Sequence, residues 1–214
     1  MYVKNRMTAN PFTIASDASI SEVVELMREK NLKRVPVVDG EKVVGLVTQN
    51  DLQKVTPTKA TTLSIFELNY LLSKAKVKDA MTKNVIGISP DALLEEAAVL
   101  MRDNKVGALV VIKEGKLVGI ITESDIFEAF IEILGFRDVG SRITVQANDV
   151  PGALADIAEV FESFDSNITH VAVYRGSDGR SDVVIRTNTL NTEPIEKKLI
   201  EHNYKIESVL RNEG

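Results

Sequence analysis

Cysteine is absent from the 214-residue chain, and histidine occurs only at His170 and His202. Disulfides, thiolate catalysis and cysteine metal sites are therefore excluded, and a reducing, cytoplasmic setting is expected. Two histidines cannot build a multi-histidine cluster, so no metal site is expected. One sits in an alternating strand and the other near a helix C-terminus, which reads as structural or solvent-facing. No Ser-His-Asp or Cys-His order is evident, and no catalytic residue is assigned. No apolar run approaches the ~18 residues of a membrane span. The start, Met1-Tyr2-Val3-Lys4-Asn5-Arg6, lacks a signal-peptide core. Basic residues are not in excess either: 26 Lys and Arg against 31 Asp and Glu leave a net charge of −5, which argues against broad nucleic-acid binding. What remains, at 44% hydrophobic and 27% charged, is globular composition with apolar content for a core. The length suits one large or two modest domains.

What the chain does have is a second copy of itself, 74 residues on. Met7-Thr8 recurs as Met81-Thr82, Ile14 as Ile88, Asp17-Ala18 as Asp91-Ala92, and Leu26-Met27-Arg28 as Leu100-Met101-Arg102. Val44-Gly45-Leu46-Val47-Thr48-Gln49-Asn50-Asp51 recurs as Val118-Gly119-Ile120-Ile121-Thr122-Glu123-Ser124-Asp125. Residues 7–52 and 81–126 agree without a gap at 16 of 46 positions. Such a pair points to two similar units around a pseudo-two-fold, neither closing its own core.

Each copy reads as strand, helix, strand, strand, helix. In the first, Phe12-Thr13-Ile14 is a short strand and Ser19-Ile20-Ser21-Glu22 a capping box. Ile20, Val23, Val24 and Met27 then form one apolar stripe, repeated by Leu94, Ala97, Ala98 and Met101. Val35–Val38 and Val43–Val47 form a hairpin through Asp39-Gly40-Glu41-Lys42, and Ala108–Ile112 and Leu117–Ile121 form its twin. Between the copies, Val55–Lys59 reads as a loop and Leu63–Leu72 as a short amphipathic helix, suited to packing or to a partner. Ser124–Leu134 closes the second copy with Ile126, Phe127, Phe130, Ile131 and Leu134 apolar.

The chemistry lies where a strand ends at Thr48 or Thr122 and Asp51 or Asp125 follows in the first helical turn. Threonine hydroxyls and free backbone N–H groups there can donate to phosphate or sugar oxygens. A carboxylate three residues on can accept from the vicinal hydroxyls of a ribose, as in dinucleotide folds on another scaffold. Thr-x-x-Asp is equally a capping box that stabilises a helix with nothing bound. The copies also differ: Lys33-Arg34 becomes Gly107-Ala108. Arg34 suits a phosphate, or else a solvated helix end, and small residues admit close backbone approach. Two unequal sites are expected.

These marks, with Arg34-Val35-Pro36-Val37-Val38-Asp39, resemble a tandem pair of CBS (cystathionine-β-synthase-type) domains over residues 1 to about 134. The resemblance implies a disc-like module with two clefts for adenosine-containing ligands such as AMP or ATP; a cyclic dinucleotide shares the same contacts. It places Asp51 and Asp125 on ribose and Thr48 and Thr122 near ribose or phosphate. Arg34, Val35 and Pro36, with Ala108, Leu109 and Val110, would flank the base. It also places dimer contacts on the closing helices.

Gly135–Ser141 carries two glycines and breaks the pattern. Beyond it, Ile143–Ala147 alternates as a strand and a helix runs to about Ser163 with Leu154, Ile157, Ala158 and Phe161 on one face. Ile168–Arg175 and Ser181–Asn188 are strands around the loop 176–180, Thr192–His202 is a helix with Pro194 in its first turn, and Tyr204–Leu210 is a closing strand. This βαββαβ order is ferredoxin-like. Asp149-Val150-Pro151-Gly152-Ala153-Leu154, followed by Asn167-Ile168, resembles the ACT-domain signature over roughly 141–214. ACT domains pair side by side and bind amino acids or similar metabolites. A glycine-opened helix start offers N–H groups to a carboxylate, with Asn148 and Asp149 facing an amine and Gly152 and Leu154 completing the site. Pro-Gly is also simply a good strand-to-helix turn.

The expected class is α+β: CBS unit 1 at 1–60, a linker helix segment at 61–80, CBS unit 2 at 81–134, a linker at 135–141 and the ACT domain at 142–214. The order of domains resembles the acetoin-utilisation, AcuB-type regulatory proteins of bacteria. That resemblance implies a homodimeric, cytoplasmic, non-catalytic sensor with an adenine nucleotide as regulatory ligand, acting on a partner enzyme or transporter. The competing readings are a scaffolding module with empty clefts, and a nucleotide hydrolase using Asp51 or Asp125.

Overall fold

The computed structural model describes residues 1–55, 65–176 and 179–214; for Ile65, Phe66, Leu68, Asn69 and Leu71 only the backbone is described. The loop expected at 55–59 falls almost wholly outside the described residues. So do the first two positions of the expected linker helix and Ser177-Asp178 of the later hairpin loop. Of the apolar residues expected to give that helix its stripe, Ile65, Leu68 and Leu71 have side chains outside the description, Tyr70 is exposed, and Leu72 packs against the core of the first copy. Two compact units make up the chain, Met1–Ile126 and Phe127–Gly214.

The first unit opens with a single 3-10 turn and the two-residue strand β1 (Thr8–Ala9). The first copy follows as β2 (Ile14–Ala15), α1 (Ile20–Glu29), β3 (Arg34–Asp39), β4 (Lys42–Thr48) and α2 (Gln49–Val55). Next come α3 (Ile65–Lys74) and α4 (Val77–Ala80). The second copy is β5 (Gly87–Ile88), α5 (Leu94–Asn104), β6 (Ala108–Lys113), β7 (Lys116–Thr122) and α6 (Glu123–Ile133), whose last residues run into the second unit. The strand-helix-strand-strand-helix order is thus present twice.

Sequence dictates the local geometry. Ser19 Oγ accepts from the Glu22 N–H at 3.2 Å while the Ser19 N–H donates to Glu22 Oε2 at 2.7 Å, closing the capping box of α1. The hydrogen bond to Ser19 holds the Glu22 carboxyl below its usual range. Ile20, Val23 and Met27 are buried, as are Leu94, Ala97 and Met101, but Val24 is 42% exposed, so the apolar stripe is narrower than its spacing suggested. The β3–β4 hairpin supplies Val35, Val37 and Val47 to the core beside them, with Leu52 and Val77. In the β6–β7 hairpin the two turn residues, Glu114 and Gly115, both take positive φ, matching the twist of the strands they join.

The copies interlock through their leading segments. The Val3 N–H donates to Ala92 O and the Lys4 N–H to Pro90 O, both at 2.9 Å. At the equivalent positions Val77 donates to Ala18 O and Lys78 to Ser16 O, again at 2.9 Å. Val3 and Val77 are both fully buried. β1 then adds to the sheet of the second copy, giving the order β1-β7-β6-β5, while Thr82 bridges Leu46 beside the β2-β3-β4 sheet of the first. Each copy therefore borrows the first segment of the other, the physical form of a core that neither closes alone.

The second unit adds β8 (Gly140–Asn148), α7 (Ala153–Glu162), β9 (Ile168–Arg175), β10 (Arg180–Thr187), α8 (Glu193–Glu201) and β11 (Lys205–Asn212). Its antiparallel sheet has the order β11-β8-β10-β9, as expected of βαββαβ. Ile143, Val145, Ala147, Val183 and Ile185 face the core with Ile157, Val160 and Phe161 of α7 and Ile195 and Leu199 of α8. The buried face of α7 therefore uses Val160, whereas Ala158 is exposed and Leu154, in the first turn, is half exposed. The period of two leaves Arg142, Thr144, Val184 and Arg186 on the opposite face of the sheet.

Candidate functional site

Thr48 ends β4 and Asp51 lies in the first turn of α2. Asp51 Oδ2 accepts from the Thr48 N–H at 3.1 Å and from its hydroxyl at 2.7 Å, and the Asp51 N–H donates to Thr48 Oγ1 at 3.2 Å. Thr122 and Asp125 repeat this at 2.7, 2.7 and 3.4 Å. The capping box is real in both copies. It consumes the one hydroxyl proton of each threonine, so that proton is not free for a phosphate; what Thr48 and Thr122 do is fix a carboxylate. The cap uses only one oxygen of each aspartate. Asp51 Oδ1 remains, with the exposed Lys54 ammonium 3.3 Å away. The capping and ligand readings of Thr-x-x-Asp are therefore compatible.

Around Asp51 the two copies build a cleft of about 240 Å³. The first copy contributes Arg34, Leu46, Thr48, Asn50, Asp51 and Lys54. The second contributes Thr82 to the floor, Val85 and Ile86 from the approach to β5, and Gly107, Ala108 and Val110 around the start of β6. Of the residues singled out in the sequence, Arg34, Thr48, Asp51, Ala108 and Val110 thus share one cleft. Val35 and Leu109 are fully buried and outside the lining; Pro36 is also buried and outside it, on the strand face opposite Val35 and Val37. Thr122 and Asp125 hold the equivalent place in the second copy.

Arg34 opens β3, five residues beyond the last residue of α1, and reaches across to the second copy. A Cβ at Gly107 would stand 2.7 Å from its Nη2 and 2.9 Å from Glu123 Oε2. Gly107 thus leaves the space that the Arg34 guanidinium and the Glu123 carboxylate border. The difference between Lys33-Arg34 and Gly107-Ala108 is one arrangement: the first copy supplies the long cation and the second the gap. Asn50, Lys54, Thr82 and Val85 were missed by sequence reasoning. Thr82 carried a signal, since the repeated Met-Thr had no role until the exchange of segments placed it opposite Leu46.

In the second unit a cleft of about 540 Å³ lies at the start of α7. Asn148 and Gly152 line it, with Asp156, His202 and Tyr204. Gly152 takes φ +91° as the N-cap. The other two residues named for this site stand elsewhere: Asp149 Oδ2 accepts from Arg175 Nε at 3.1 Å, and Leu154 is 51% exposed. His202 Nδ1 lies 2.9 Å from Asp156 Oδ1. The Tyr204 hydroxyl is shared between the Ala153 carbonyl at 3.3 Å and Asp156. Burial, then Asp156, pushes the phenol up to about 12, and Tyr204 followed by His202 holds the Asp156 carboxyl low. Among the described residues no group of three histidine, aspartate or glutamate side chains is placed to hold a metal, and no helix is long and apolar enough to cross a membrane.

Known proteins match this layout. The CBS domain model matches residues 3–57 and 77–132, and the ACT domain model residues 141–202. A CBS domain-containing protein of Dictyostelium discoideum is 31% identical over 134 residues, 62% of this chain and 92% of that one. Inosine-5'-monophosphate dehydrogenase of Korarchaeum cryptofilum is 30% identical over 78% of this chain, which spans only 32% of that enzyme. Among solved structures, an acetoin utilization protein (AcuB) from Vibrio cholerae superposes with a TM-score of 0.52 at 30% identity, over 64% of this chain and 94% of that one. CBSX2 in complex with AMP gives 0.51 at 31%, over 62% and 97%. A CBS domain pair in complex with 5'-methylthioadenosine and S-adenosyl-L-methionine gives 0.50 at 27%, over 61% and 95%. The chain belongs to the CBS-domain family, as a tandem pair followed by an ACT domain.

Proposed function

We propose that this chain is a non-catalytic sensor whose CBS pair takes an adenine nucleotide in the cleft around Asp51. The observation that carries the reading is the Thr48–Asp51 cap, which locks one carboxylate oxygen and leaves the other for ribose hydroxyls beside the cations Arg34 and Lys54. Complexes of similar CBS pairs with AMP and with S-adenosyl-L-methionine support the ligand class. The position of Lys54 in the first copy is taken by Glu128 in the second, and that of Arg34 by Ala108. The Asp51 cleft is therefore the better phosphate site, and the Asp125 cleft suits the less anionic adenosyl ligands.

The ACT domain, 142–214, adds a site for an amino acid or similar metabolite at Asn148 and Gly152. Two chains associate as a homodimer in the cytoplasm, and ligand binding shifts the dimer between arrangements that a partner enzyme or transporter of acetoin or acetate metabolism distinguishes. Calorimetric titration with AMP, ADP, ATP, NAD, S-adenosylmethionine and cyclic di-AMP, with Asp51→Ala and Asp125→Ala alongside, tests the reading. Binding lost on Asp51→Ala is the expected result. A folded wild type that binds none of the panel overturns it.

A further inference from the structure

The open face of the second unit's sheet carries an arrangement that the sensor reading does not use. Arg142 of β8 and Arg186 of β10 are directly opposed across the antiparallel ladder, so both side chains leave the same face. The row continues with Leu210 beside Arg142 and His170 beside Arg186. Like charges directly opposite one another destabilise a sheet, and a pair left that way needs something to offset it. Neither arginine is ion-paired among the described residues. Arg142 Nη1 donates to Thr144 Oγ1 at 2.9 Å, and the Arg186 guanidinium lies 5.8 Å from the centre of the Phe136 ring. The Asp138 carboxylate, close enough to be felt by Arg186, lies 3.5 Å from His170 Nδ1 and makes no ion pair with either arginine.

Two cavities meet at this pair. One, of about 250 Å³, is walled on one side by Phe130, Leu134 and Phe136 and on the other by Arg142, Arg186 and Ala172. The second, of about 740 Å³, lies where Arg137 and Arg211 approach the same two arginines. Those flanking cations are already occupied, Arg137 by Glu128 and Arg211 by the Leu190 carbonyl and Thr192 hydroxyl, and they add positive potential without competing for a ligand. Burial and the neighbouring Arg142 make the charge on Arg186 harder to hold, and Asp138 offsets them only in part.

From this geometry we infer that Arg142 and Arg186 form a binding site for a small organic acid, its carboxylate or phosphate forked between the two guanidinium groups and its apolar body against Phe130, Leu134 and Phe136. Guanidinium groups bind oxyanions bidentately, and two of them side by side bind one far better than they tolerate each other. The apolar cavity is smaller than the roughly 300–1,000 Å³ of pockets for drug-sized ligands, which selects a body the size of one ring or a short branched chain. The site shares no lining residue with the Asp51 cleft or with the cleft beside Gly152.

Calorimetry of the full chain with benzoate, phenyl phosphate, inorganic phosphate and uncharged benzyl alcohol tests it. Saturable binding of benzoate or phenyl phosphate, at least tenfold tighter than that of benzyl alcohol, is expected, and the preferred headgroup tells carboxylate from phosphate. Arg142→Gln and Arg186→Gln should each weaken it about tenfold or more, Arg186→Lys should recover part, and Asp51→Ala should leave it unchanged. Benzyl alcohol binding as well as the acids, indifference to both glutamine variants, or loss on Asp51→Ala would each overturn the site. Should the variants fold poorly, the guanidinium resonances of the wild type decide: shifts at Arg142 and Arg186 on titration support the site, and still resonances refute it.

Discussion

Met81 stands where a side chain on Gly45 would have to go. A Cβ built on Gly45 meets the Met81 sulfur, its Cγ at 2.9 Å and the Thr82 carbonyl oxygen at 3.0 Å; Gly119 and Met7 stand in the same relation. The methionine end can swing aside, but the carbonyl is held by the Leu46 N–H at 2.9 Å. Gly45→Ala is expected to cost about 1–3 kcal/mol, with Met81→Ala recovering only part. Denaturant titration of the single and double variants measures both. An unchanged single variant would show that close approach is not why glycine stands there.

Thr48 donates its hydroxyl proton to Asp51, which in the proposed site makes it a positioning residue. Thr48→Val should lower stability by about 1 kcal/mol through loss of the cap. It should also weaken AMP binding, whereas Thr48→Ser should preserve both. Thermal unfolding and calorimetry on the same preparations separate the two effects. AMP affinity unaltered in Thr48→Val would mean that the carboxylate is held some other way.

Gly107 gives Arg34 its path into the cleft. Gly107→Val should displace the guanidinium, and Arg34→Gln should remove it. Each is expected to cut the preference for AMP over adenosine about tenfold, the worth of one charge-assisted hydrogen bond, while leaving adenosine binding close to wild type. A preference unchanged in both variants would assign phosphate recognition to Lys54 or to another group.

The pair Tyr204 and Asp156 makes stability depend on pH at both extremes. The tyrosine, raised from 10.0 to about 12, contributes fully below pH 10 and loses that contribution as the pH climbs towards 12. Asp156, held below its ordinary value of 3.8, contributes fully above that value and loses its contribution as the pH falls further. Tyr204→Phe should flatten the alkaline limb and, because Tyr204 is the main hydrogen-bond partner of Asp156, also shrink the acid limb. Urea midpoints followed by circular dichroism across pH would show it.

β9 is an edge strand with Val171 and Val173 48% and 40% exposed on the side that faces the core further along the sheet. An unpaired apolar edge is a template for a second strand. Val173→Lys should shift the chain towards monomer in analytical ultracentrifugation, and a dimer untouched by it would place association elsewhere.

Repetition made most of the architecture legible. A period of two in Ile143–Ala147 and a period near 3.6 in Ile20–Met27 survive in the structure because both segments are half-buried. Patterns say which residues are apolar, not how wide a neighbour is, so Val24 and Ala158 read as core and are exposed. The site was legible where one segment carried it, as at Thr48 and Asp51. It was not legible where chemistry depends on segments far apart in sequence. Gly107, read as admitting a close backbone approach, is the gap for the Arg34 side chain, and Asp149, offered for a ligand amine, is held by Arg175. Arg142 and Arg186 were invisible because only strand register makes neighbours of residues that far apart.

The exchange of leading segments also sets an order of events on the ribosome. Ala18 cannot meet Val77 until the second copy has begun to emerge, and Val3 waits longer still for Ala92. The first copy therefore leaves the exit tunnel with an open groove and a spare arm of its own. Among the described residues it is the second copy's Val77 and Lys78 that occupy that groove, and an arm from a neighbouring nascent chain has the same shape. Slow translation between residues 55 and 77 would therefore favour intertwined dimers, and rapid arrival of the second copy the closed monomeric module.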